Sequence, residues 1–136
     1  MPPPPDLRVP RADAPPRGSS IALTGIRGRA GEQLAVAYLE LTGARVRDRN
    51  VRIAGVEVDL VVDDGRDRVL VEVKLRSRDD YGGAALAVDG RKRHRLARAA
   101  AALLQSGVPR VRVDVIAIDL EPDGARLRRY RNAVED

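Results

Sequence analysis

Two neighbouring runs constrain this chain more than any other feature. Val56–Val62 and Arg68–Leu75 each alternate apolar with polar or charged residues, and Asp63-Asp64-Gly65-Arg66 between them has the composition of a hairpin turn. Residues two apart on a strand share a face. Val56, Val58, Leu60 and Val62 are therefore expected on one face of the first strand, with Glu57 and Asp59 on the other. In the second strand Val69, Val71, Val73 and Leu75 stand against Leu70, Glu72 and Lys74. A turn centred on Asp64-Gly65 sets Asp59 and Glu72 approximately opposite each other, with Lys74 close by. The plain reading is an antiparallel sheet with one wet face, on which an acid and a lysine pair for about 0.2–1 kcal/mol. Two like charges facing each other are destabilising, however, and a divalent cation is the obvious group to offset them.

The surrounding pattern alternates helix and strand. From Gly31 the residues Leu34, Ala37, Tyr38 and Leu41 follow helical spacing, with Gly43 as the stop and a second row Glu32–Val36–Leu39 that points Glu32 toward the interior. Ala44–Ile53 reads as a weaker strand preceding the hairpin. A second helix over Arg91–Gln105 carries the stripe Leu96, Ala99, Ala100, Leu103 and Leu104, with Arg91, Arg95 and Arg98 on another face. Arg110–Leu120 is a further strand, alternating Val111, Val113 and Val115 against Arg112 and Asp114, and Ala125–Arg131 is a candidate final edge strand. The order α-β-β-β-α-β, with an extra edge strand, predicts a mixed α/β domain on a central sheet. A chain of 136 residues allows one domain. Seven of the nine prolines fall in the first sixteen residues, so 1–20 is read as a disordered Pro/Arg-rich arm and 21–136 as the folded unit.

Composition narrows the chemistry. Without cysteine, thiolate metal sites and cysteine nucleophiles are excluded, and with one histidine, His94, a zinc hydrolase or a histidine triad is not expected. No apolar run approaches a membrane span and the N-terminal residues have no apolar signal core, so a cytoplasmic protein is expected. What remains is carboxylate, lysine and arginine chemistry, which suits Mg²⁺ or Mn²⁺. An acidic centre over 57–80 lies between basic segments, the layout a polyanion held by arginines over a metal would use. Arg76, Arg78, Arg91, Lys92, Arg93, Arg95 and Arg98 are candidate phosphate contacts, and Tyr81 could stack on a base. Only two of the 25 basic residues are lysines, Lys74 and Lys92, in a chain that otherwise uses arginine. A compact ammonium can hold one water or one phosphate oxygen as a point charge.

Glu32, Asp59 and Glu72-Val73-Lys74 resemble the restriction-endonuclease-like nuclease core, in which an acid followed by an acid-x-lysine holds metal over a phosphodiester. The spacing from Asp59 to Glu72 is similar to that of archaeal Holliday-junction resolvases. A longer constellation resembles the bacterial YraN-like family of small predicted endonucleases. It comprises Gly31-Glu32, Tyr38-Leu39, Gly43, Asn50, Arg52, Glu57-Val58-Asp59-Leu60, Val71-Glu72-Val73-Lys74, Arg76, Tyr81-Gly82, Lys92 and Arg112-Val113-Asp114-Val115, and covers about Gly28 to Asp119. Two positions depart from the family pattern: Val56 intervenes between Gly55 and Glu57, and Leu70 stands near where phenylalanine is usual.

The resemblance implies a restriction-endonuclease-like fold and a Mg²⁺- or Mn²⁺-dependent endonuclease hydrolysing DNA, including branched or structured DNA, as a homodimer. It implies Asp59, Glu72 and the Val73 carbonyl as metal ligands, with Glu32 adding a carboxylate directly or through water. Lys74 would position the attacking water or stabilise developing charge. Arg76, Arg78, Lys92, Arg95 and Tyr81 are then the expected nucleic-acid contacts. The alternative is a nucleic-acid-binding module whose nuclease site is vestigial or depends on a partner.

Overall fold

The hairpin organises the sheet. In the computed structural model, which describes residues 7–10, 20–76 and 90–133, the chain runs β1 (Leu7–Pro10), α1 (Ser20–Leu41), β2 (Arg45–Ile53), β3 (Val56–Asp64), β4 (Asp67–Arg76), α2 (Gly90–Gln105), β5 (Val111–Glu121) and β6 (Gly124–Tyr130). β3 and β4 pair antiparallel from Asp64↔Asp67 to Leu60↔Val71. The two-residue loop is thus Gly65-Arg66, one residue beyond the expected centre, and Gly65 takes φ +63, the left-handed backbone such a tight connection needs. The β2–β3 connection, Ala54-Gly55, has φ +51 and +77, as a type I′ turn requires.

The six strands lie in the order β1-β6-β5-β4-β3-β2. β4 and β5 are parallel and every other pair is antiparallel. A parallel pair needs a crossover, and α2 supplies it. α1 packs on one face with Leu60, Val62, Val69, Val71, Ile116 and Ile118, while α2 packs with Val56, Val58, Val61, Leu70 and Val113. The expected α-β-β-β-α-β order of the restriction-endonuclease-like core is the one observed. Among the described residues no helix is long and apolar enough to cross a membrane.

Several local expectations are corrected. α1 begins at Ser20, eleven residues before the pattern becomes legible, because Gly25, Gly28 and Gly31 interrupt it with poor helix formers. Its buried arc is Ala35, Val36, Tyr38 and Leu39, whereas Ala37 and Leu41 face outward. The row through Glu32, Val36 and Leu39 is the one that turns inward. Leu7–Pro10, expected within a disordered arm, pairs with β6 and displaces it from the edge. Proline is compatible with that position because an edge strand leaves part of its backbone unpaired. β5 does not show a wet face: Val113–Ile118 are all buried, since the strand is central and covered by both helices.

Asp114, on β5, is fully buried. Arg112 Nε donates to its Oδ1 at 3.0 Å, Arg129 Nε donates to its Oδ2 at 3.0 Å, and the Asn132 backbone N–H donates to its Oδ1 at 3.0 Å. Arg112 also reaches Asp64 at 2.7 Å and pairs with Asp67. This network ties the hairpin end of β3–β4 to β5 and β6. It lies toward the opposite end of these strands from Asp59 and Glu72.

Candidate active site

The apolar run of β3 does not keep to one face as its alternation predicts. Val56 and Val58 pack toward α2, but Leu60 and Val62 pack toward α1. The switch falls at Asp59. On the β2 side the ladder is interrupted there, between Arg49↔Leu60 and Val51↔Val58. The residue skipped in β2 is Asn50, which has φ +51. Asparagine tolerates that backbone better than other side-chain-bearing residues. β4 meanwhile continues alongside β5 through Glu72↔Val115, Val73↔Ile116 and Lys74↔Ala117. β3 leaves the β4 ladder after Leu60↔Val71, and the Asp59 side chain takes up the exposed donor: the Val73 N–H donates to Asp59 Oδ2 at 2.8 Å.

The parting of β3 from β4 lets charged groups converge from both faces. Glu72 is 5% exposed. Lys74 Nζ lies 3.6 Å from its Oε1, and Lys92 Nζ, from the first turn of α2, lies 3.5 Å from its Oε2. Glu72 Oε2 is a buried oxygen that accepts no hydrogen bond. From the other face α1 brings Glu32. Gly31, buried beside it, packs against β4, where a Cβ would make ordinary contact with Leu75 Cδ1 at 3.5 Å. The Glu32 carboxylate accepts a hydrogen bond from Asn50 Nδ2 at 3.1 Å. One left-handed asparagine therefore both sits where the β2–β3 pairing lapses and holds the helix-borne acid.

Burial pushes the Asp59 carboxyl above its ordinary pKa; the Val73 N–H opposes the shift, the Glu32 charge adds to it, and Lys92 and Lys74 oppose it. Burial likewise raises Glu72, reinforced by the charge of Asp59 and opposed by the two lysines. Like charges and a low-dielectric setting make the ionised pair costly without a cation. Hard oxygen donors with one unsatisfied buried oxygen fit a divalent ion such as Mg²⁺ or Mn²⁺ at Asp59 and Glu72. Among the described residues no three acidic or histidine side chains converge on one metal position; the Glu32 carboxylate accepts from Asn50.

The remaining expected site residues are dispersed. Val73 is half-buried on β4 with its N–H engaged by Asp59. Arg76 is half-buried at the end of β4, and Arg95 is exposed on α2, as are Arg91, Arg93, His94 and Arg98. Arg78 and Tyr81 lie outside the described residues. Glu57 is exposed and pairs with Arg52 at 2.9 Å, away from the carboxylate pair. Two features escape the sequence reading. Asn50 carried no assigned role, although asparagine within a strand pattern is the signal of a left-handed break. Lys92 stands out in the sequence as one of two lysines, but its contact with Glu72 does not, because α2 and β4 are brought together only by the fold.

Comparison with known proteins gives this arrangement its relatives. The profile described as "Uncharacterised protein family UPF0102" matches residues 31–118, a stretch that contains Glu32, Asn50, Asp59, Glu72, Lys74 and Lys92. A UPF0102 protein of Geobacter sulfurreducens is 46% identical over 114 residues, covering 81% of this chain and 89% of its own. One from Symbiobacterium thermophilum is 44% identical over 110 residues, covering 78% and 93%. Among solved structures, "The structure of Pyrococcus Furiosus SfsA in complex with Ca2+" is similar at 14% identity with a TM-score of 0.34, covering 91% of this chain and 74% of that one. That likeness is too low to carry a functional argument. On profile and relatives together, the chain belongs to the UPF0102 family, the YraN-like family that its motifs resemble.

Proposed function

We propose that the protein is a Mg²⁺- or Mn²⁺-dependent endonuclease that hydrolyses phosphodiester bonds in DNA, branched or structured DNA included. The observation that carries this reading is the convergence of half-buried Asp59 and buried Glu72 with Lys74 and Lys92 where β3 parts from β4. A metal bound there supplies a water of lowered pKa and neutralises charge on the phosphate. The protein's own groups do the rest. Asp59, fixed by the Val73 N–H, and Glu72, with its unsatisfied oxygen, hold the cation together with the Val73 carbonyl. Glu32, oriented by Asn50, would add a carboxylate directly or through water. The Lys74 ammonium, at the rim of the pair, orients the attacking water or stabilises the charge that develops on the phosphate. Arg76, Arg78, Lys92 and Arg95 track the backbone phosphates, and Tyr81 stacks on a base. Cutting two strands symmetrically takes one site per strand, which a homodimer supplies.

One observation favours a second reading, a nucleic-acid-binding module with a vestigial or partner-dependent site: the third carboxylate, Glu32, is held by Asn50 rather than joined to the pair. Cleavage of end-labelled linear, flapped and four-way-junction DNA in Mg²⁺, in Mn²⁺ and in chelator decides between the two. The nuclease reading expects metal-dependent products that fall about 100-fold or more in Lys74→Ala. Salt-sensitive binding without cleavage in any metal supports the module instead.

A further inference from the structure

The chain has two lysines among 25 basic residues. They sit on different elements, β4 and α2, yet both end within 3.6 Å of the two oxygens of one buried glutamate. Neither contact has the roughly 2.7–2.9 Å length of a charge-assisted hydrogen bond, and Glu72 Oε2, facing Lys92, accepts none. The lysines neutralise the carboxylate at ion-pair distance. An arginine here would grip both oxygens through its planar fork, whereas an ammonium on a flexible four-carbon stem makes a single, reorientable contact. Lys92 is 26% exposed at its side chain, so solvent lies within its reach.

We infer that Lys92 is a displaceable counter-ion, held against Glu72 Oε2 while the site is metal-free and displaced from it when a divalent cation binds. The inference rests on the cation reading of the site given above, and deepens it. Lys92 occupies the approach to the unsatisfied oxygen that the cation needs, so its charge competes with the metal. Once displaced, it belongs to the same first turn of α2 as the exposed Arg91 and Arg93, and its ammonium becomes available to a phosphate oxygen. Metal loading and substrate capture are thereby coupled through one side chain.

Mn²⁺ titration of the full chain, followed by the electron paramagnetic resonance of free Mn²⁺, tests this. Lys92→Met and Lys92→Gln remove the competing charge and are expected to lower the Mn²⁺ Kd by about three- to tenfold, with Lys92→Arg no tighter than the unsubstituted protein. The Mn²⁺-induced rise in Tm over chelator is expected to be larger in Lys92→Met than in the unsubstituted protein, a readout that holds even where the variant is less stable. A structural tether predicts the reverse. Unchanged or weaker Mn²⁺ binding in both neutral variants overturns the inference while leaving the cation site standing. Absence of Mn²⁺ binding that Asp59→Asn abolishes overturns the cation reading, and the inference with it.

Discussion

Asn50 decides more at the site than its small side chain suggests. Its φ of +51 interrupts β2 opposite Asp59, and its amide holds Glu32 at 3.1 Å. These two roles separate by substitution. Asn50→Gly keeps the left-handed backbone and removes the amide, so stability is expected to stay within about 0.5 kcal/mol while metal-dependent cleavage falls about 10–100-fold, the usual effect of losing a group that orients a metal-site carboxylate. Asn50→Val imposes a β-branched residue on a left-handed position and is expected to cost about 1–3 kcal/mol, read from urea denaturation. Equal effects of the two substitutions on cleavage and on stability would show that Asn50 shapes the strand alone. Asp59, Glu72 and Lys74 were legible in the sequence, because two-residue periodicity and a short turn place them together whatever the rest of the chain does. The partners of Glu72 and Glu32 across the fold were not, because α2 and α1 lie far from β4 and β2 in sequence, and no local pattern states which helical residue will face which strand.

At the scale of elements, what matters is which face each one buries. Helical spacing on α1 admits two overlapping stripes, one through Leu41 and one through Leu39, and the sheet selects the second. Leu39 is fully buried and Leu41 is 81% exposed. Leu39→Ala is therefore expected to cost about 2–5 kcal/mol and Leu41→Ala about 0.5 kcal/mol or less, measured by denaturation; the reverse order would restore the expected stripe. α2 followed its pattern more closely, with Leu96 and Ala99 buried and Leu104 turned outward, because its arginine-rich face leaves one apolar choice. β3 is the instructive departure. Alternation from Val56 to Val62 predicts a continuous face, but a strand that bends at Asp59 hands Val56 and Val58 to one helix and Leu60 and Val62 to the other. That bend opens the space in which the carboxylates and lysines meet.

For the whole molecule, one network ties the hairpin end of β3–β4 to β5 and β6. The carboxyl of Asp64 is pushed up by burial, but the hydrogen bond from Arg112 and the charges of Arg129, Arg112 and Arg131 bring it below its ordinary value. A depressed native pKa contributes stability that is complete above the unfolded carboxylate value of about 4 and lost as pH falls through the native one. Urea midpoints between pH 7 and pH 2 are thus expected to fall on the acid side in the unsubstituted protein. Asp64→Asn is expected to cost about 1–3 kcal/mol at pH 7 and to flatten that acid limb; an unaltered slope would remove Asp64 from the linkage. The amino-acid sequence by itself determined the elements from the first helix to the last strand and their order, the hairpin, the nearness of Asp59 to Glu72 and Lys74, and a chemistry restricted to carboxylates and cations, because these follow from periodicity, turn residues and composition, all of which act over a few residues. Tertiary structure alone decided the bend at Asp59, the stripe α1 buries, the addition of Leu7–Pro10 to the edge, and the meeting of Lys92 with Glu72. Each depends on packing between segments distant in the chain, where burial and register choose among alternatives that local spacing leaves equal.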